Sequence, residues 1–107
     1  MEIGISQLVA PNLPMDEFLG KAKEGGYEAV ELSMRPKGPI TGETTAAELR
    51  AFGATARTLG LQVVSMTINH CTGNLLAGGD AARTSIAETI AGLEAAACLG
   101  APVALHT

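Results

Sequence analysis

One pattern repeats along this chain and restricts its fold more than any single motif does. A short β-prone run is followed by a glycine- or proline-bearing loop, an amphipathic segment with helical spacing and a glycine stop; the unit occurs three times and a fourth begins. The first strand is Ile3 to Leu8, "IGISQL". After "VAPNLP" comes a helix with Met15, Phe18, Leu19 and Ala22 at i, i+3, i+4 and i+7, a single apolar stripe. Pro14 suits a first turn, Asp16 and Glu17 favour the positive end of the helix dipole, and Gly25 and Gly26 supply the left-handed stop. "EAVELSM" is the second strand. Thr45-Ala46-Ala47-Glu48 is a capping box opening the second helix, whose stripe is Leu49, Phe52, Ala56 and Leu59 and whose stop is Gly60. "LQVVSMTI" is the third strand. The third helix is predicted from Asp80 to Leu99 with Ile86, Ile90, Leu93 and Ala97 as its apolar face and Gly100 as its C′ residue. "PVALHT" begins the fourth unit as a strand.

Each helix returns to the next strand within two or three residues, whereas each strand leads into a longer loop. Short returns at one rim and long loops at the other describe parallel strands joined by right-handed crossovers. The working rim is then at the strand C-terminal ends, in the loops beginning at Val9, Arg35, Asn69 and Thr107. Two α/β architectures accommodate this: a small doubly wound sheet, or the first four strands and three helices of a (β/α)8 barrel, which needs about 250 residues. A doubly wound domain of the flavodoxin type would carry a fifth strand and a closing helix, so residues 1–107 are expected to be the N-terminal half of a barrel. Expressed alone, such a piece is expected to dissolve poorly, because it exposes a sheet edge and uncovered apolar strand faces.

Composition narrows the function classes. The 107 residues are 47% hydrophobic and 17% charged, which excludes a disordered tail, and the net charge of −4 disfavours nucleic acid as a partner. No apolar run approaches the roughly 18 residues that span a bilayer, and "MEIGISQL" lacks the basic and apolar regions of an export signal. The expected setting is cytoplasmic, with no membrane partner. Cys71 and Cys98 form no Cys-x-x-Cys and are expected to be reduced.

"GYEAVELS", "LGLQVVSM" and "TSIAETIAGLEAAACLGAPVALHT" resemble the first four units of the xylose isomerase-like TIM barrels, a superfamily of sugar-phosphate isomerases and epimerases, ketose 3-epimerases and endonuclease IV-type repair enzymes. The resemblance runs in order over the whole chain. It implies a sugar or sugar-phosphate isomerase or epimerase in which a divalent metal ion (Mn, Mg, Co or Zn) polarises oxygens while carboxylates move a proton next to the carbonyl. In such enzymes the main metal-binding and acid/base carboxylates come largely from the second half of the barrel. The activity, and any homo-oligomeric assembly, is therefore expected of a full-length parent and not of this segment alone, and no catalytic acid or base is assigned within it.

Candidate site residues follow from the predicted rim. His70 follows strand three among Asn69, Thr72 and Asn74, where a substrate or metal contact competes with a surface or capping histidine. Its position resembles a histidine that endonuclease IV relatives use for metal, while in sugar epimerase relatives the same loop, here with Asn69, contributes to substrate binding. His106 ends strand four on the same rim; strands about 4.8 Å apart let both histidines converge on one ligand, although two histidines alone make no metal signature. Glu31 interrupts the apolar run "AVELS" and needs a partner, either a substrate hydroxyl at the barrel mouth or a basic side chain. Ser6 and Gln7 end strand one and can donate hydrogen bonds to substrate, with Gln7 among the expected substrate-binding residues, although alternation turns only one of them inward. Arg35 reads as a solvated loop residue that can also neutralise Glu31 or meet a phosphate. Gly73, Gly78 and Gly79 match neither a dinucleotide nor a P-loop spacing, and Cys71 next to His70 lacks a third group to orient a nucleophile. Two alternatives to the isomerase stand beside it: an abasic-site endonuclease of the same superfamily with His70 and His106 as zinc ligands, and a non-enzymatic doubly wound binding or signalling module.

Overall fold

The computed structural model describes residues 3–69, 76 and 78–106. Strand β1 spans Gly4–Ser6 and runs into a one-turn 3-10 helix at Gln7–Val9; then come α1 (Met15–Glu24), β2 (Ala29–Met34), α2 (Ala46–Thr58), β3 (Gln62–Ile68), α3 (Gly79–Leu99) and β4 (Ala104–His106). The first strand is shorter than the alternating pattern predicted. Ser6 is the reason: its Oγ accepts from the Leu8 N–H at 3.2 Å, and the Ala10 N–H reaches the Gln7 carbonyl at 3.0 Å, so the chain turns where the strand was expected to continue.

All strand pairs are parallel, and the sheet order is β1-β2-β3-β4. That order decides between the two architectures. A doubly wound sheet reverses its order at a switch point, which is how its helices reach both faces. Here successive right-handed crossovers never reverse, so α1, α2 and α3 lie side by side on one face. The doubly wound alternative is thereby excluded, and the chain adopts the curved, singly wound beginning of a barrel.

The core lies between the sheet and this helix layer. Met15, Phe18, Leu19 and Ala22 of α1 and Leu49 and Ala56 of α2 pack on Val30, Leu32, Met34, Val63, Met66 and Ile68. Capping follows the sequence closely. The Thr45 side chain accepts from the Glu48 N–H at 3.1 Å, and Gly26, Gly60 and Gly100 take the positive φ values that stop the three helices.

The third helix departs from expectation. Its buried residues are Ser85, Glu88, Gly92, Ala95, Ala96 and Leu99, while Ile86, Ile90 and Leu93 are about half exposed, at 50%, 51% and 53%. Both sets have helical spacing, and the bulkier set was the wrong one for the core. The small face wins because α3 lies so close to β3 that a Cβ on Gly92 would be 2.5 Å from the Ile68 side chain. Large side chains on that face would hold the helix away from the sheet.

A second departure concerns the face of the sheet away from the helices. Uncovered apolar strand faces were expected there. The alternation instead gives that face Gly4 and Ser6 from β1, Ala29, Glu31 and Ser33 from β2, and Ser65 and Thr67 from β3, with Leu105 of β4 beside Thr67. Small and polar side chains dominate it, and the large aliphatics of β2 and β3 face the helices.

Candidate active site

The polar face is organised by one irregularity. Between β2 and β3 the register steps from Val30 opposite Val63 to Glu31 opposite Ser65, leaving Val64 as an extra residue in a β-bulge. Without it, Val64 would stand next to Glu31 and Ser65 would enter the core in place of Met66. With it, Met66 and Ile68 are buried against the helices at 0% and 1% exposure, and Ser65, Thr67 and Asn69 reach the polar side.

Two hydrogen-bonded tiers result. In the lower tier Glu31 accepts from both neighbouring strands, the Ser6 Oγ–H on Oε1 at 3.3 Å and the Ser65 Oγ–H on Oε2 at 2.8 Å. The carboxylate is half-buried, and these two hydroxyls replace much of the water it loses. One step toward the strand C-terminal ends, Ser33 Oγ and Thr67 Oγ1 are hydrogen-bonded at 2.7 Å, and the Asn69 Nδ2–H₂ group donates to Ser33 Oγ at 3.1 Å. Ser33 and Thr67 are buried and Asn69 is half-buried.

Gln7 closes the first-strand side. Its Oε1 accepts from the Ser33 N–H at 2.8 Å, doing for β2 what a backbone carbonyl would have done had β1 continued. The side chain is 1% exposed, and its Nε2 donor has no partner among the described residues. Gln7 is thus built into the wall of the site, and Ser6 is the residue at the end of β1 that joins the polar face.

The remaining candidates lie as follows. Arg35 donates to the Pro11 carbonyl at 3.4 Å, tying the β2–α2 loop to the β1–α1 loop. The backbone of His106 pairs with Ile68 in β4, whereas Leu105 pairs with Thr67; the His106 side chain is outside the described set. His70, Cys71, Thr72, Gly73 and Asn74 also fall outside the described residues. Among the described residues no three side chains of His, Cys, Asp or Glu come together as a metal site, and the acid on the polar face already holds two hydroxyl donors. The described part of the face does not fit a divalent ion by itself. A cavity of about 480 Å³ lies elsewhere, between the β2–α2 loop and α3, with Thr41, Glu43 and Glu88 on its walls.

Sequence reasoning singled out Glu31, Asn69 and Gln7 but passed over Ser33, Ser65 and Thr67. The signal was present as period-two spacing, Glu31 with Ser33 and Ser65 with Thr67 and Asn69, each in an otherwise apolar strand. The bulge hid it, because β2 and β3 come into phase only when Val64 is skipped.

No protein-family model matches the chain, and no curated protein matches it. A solved structure does: a xylose isomerase domain-containing protein from Salmonella typhimurium LT2, with a TM-score of 0.58 and 23% sequence identity over 92% of this chain. The fold is a partial (β/α)8 barrel. The chain spans about a third of that protein, 33% of its length, and at this identity the likeness is one of fold. The sequential strand order and this likeness agree on the (β/α)8 barrel fold expected from the sequence. In a closed barrel the face away from the helices is the interior, and the upper tier of Ser33, Thr67 and Asn69 lies toward the rim where such barrels keep their chemistry.

Proposed function

We propose that the barrel containing this chain is a sugar or sugar-phosphate isomerase or epimerase that moves a proton next to a substrate carbonyl, and that the activity belongs to the full-length parent. The observation that carries the reading is the two-tier row of hydroxyl, amide and carboxylate groups on the face that a barrel turns inward. Barrel interiors are ordinarily filled by bulky branched side chains. A row of small hydrogen-bonding groups leaves room there and matches a ligand with many hydroxyls, each of which needs a donor and an acceptor.

In this reading Glu31 and Asn69 bind substrate hydroxyls, Ser33 and Thr67 hold Asn69 in place, and Gln7 fixes Ser33 through its amide. His70 is proposed as a further substrate or metal contact and His106 as a metal contact. A divalent ion, when bound, would polarise the substrate oxygens; its remaining donors, like the acid and base, are proposed to come from the other barrel strands.

Deuterium incorporation tests the proposal. The full-length parent, incubated in D₂O with a panel of ketoses and ketose phosphates and with Mn, Mg, Co or Zn in turn, is expected to place deuterium on a carbon next to the carbonyl, read by proton NMR. Glu31→Gln is expected to slow it at least tenfold. No incorporation from any substrate with any of the four metals would remove the proposal, and turnover by the 107-residue chain alone would refute the assignment to the longer protein.

A further inference from the structure

We draw no further inference here: the strongest candidate, the exposed apolar face of α3 formed by Ile86, Ile90 and Leu93, carries nothing because nothing in the structure shows what covers it.

Discussion

Placing alanine at Gly92 tests the close packing of α3 on the sheet. In an exposed helix interior this change gains about 1 kcal/mol, because alanine loses less backbone freedom on folding. At Gly92 the added Cβ would lie 2.5 Å from Ile68 Cδ1, 2.7 Å from Cγ1 and 3.0 Å from Cγ2. Moving one terminal methyl does not clear three such contacts. Ile68 is β-branched, stiff at χ1 and 1% exposed, so relief must come from the helix or the strand. Overpacking of this kind costs roughly 1–3 kcal/mol. The difference leaves Gly92→Ala destabilising by about 1 kcal/mol. Gly20 in α1 is the control, since a Cβ there meets nothing within 4 Å and Gly20→Ala is expected to stabilise by up to about 1 kcal/mol. Urea unfolding followed by far-ultraviolet circular dichroism reads both. Adding Ile68→Val to Gly92→Ala should recover part of the loss as a coupling of at least about 0.5 kcal/mol in a double-mutant cycle. Were Gly92→Ala to stabilise as much as Gly20→Ala and add independently to Ile68→Val, the close approach of α3 to β3 would be refuted.

Four further changes probe the remaining assignments. Ile90→Lys is expected to shift stability by no more than about 0.5 kcal/mol, whereas Ala95→Lys, at 3% exposure, should prevent cooperative unfolding in the same urea titration; the reverse order would restore the aliphatic face of α3 to the core. Gln7→Ala removes the acceptor for the Ser33 N–H, and amide hydrogen exchange at Ser33 should accelerate by roughly tenfold or more, with little change at Leu32, if the 2.8 Å bond is what protects it. Ser65→Ala removes one donor to Glu31 and should cost about 1 kcal/mol in the same urea titration; a cost of zero would show that the Ser65 bond does not hold Glu31.

The architecture was legible in the sequence because it rests on local signals that tertiary packing did not overrule. Thr45, Gly26, Gly60 and Gly100 cap or stop their helices where the residue types say they should, and the α1 stripe of Met15, Phe18, Leu19 and Ala22 is buried throughout. Misreadings came where one residue's environment depended on another element. The face of α3 could not be read from hydrophobicity, since the small face is selected by its distance from β3 and not by its own composition. Ser65 was invisible for the same reason: its position next to Glu31 depends on a bulge between strands more than thirty residues apart in sequence. Glu31 itself was legible as a residue in need of partners, and within the sheet Ser6 and Ser65 supply two of its hydrogen bonds.

The bulge also links the fold to the proposed chemistry. A regular β3 would present Val64 to the interior beside Glu31 and would put the Ser65 and Thr67 hydroxyls into the helix-facing core, where each would cost about 1–3 kcal/mol without a partner. One extra residue reverses the alternation, so the core gains Met66 and Ile68 and the interior gains hydrogen-bonding groups. Removing Val64 would join the Val30–Val63 and Glu31–Ser65 pairs into a regular ladder and leave Ser65, Met66, Thr67 and Ile68 on their present faces. Cooperative unfolding is therefore expected to survive the deletion, with the Ser65 hydroxyl still on Glu31. Loss of cooperative unfolding together with strong binding of an apolar dye would mean that Met66 and Ile68 had changed face, and would refute the assignment of Val64 as the residue that the ladder skips.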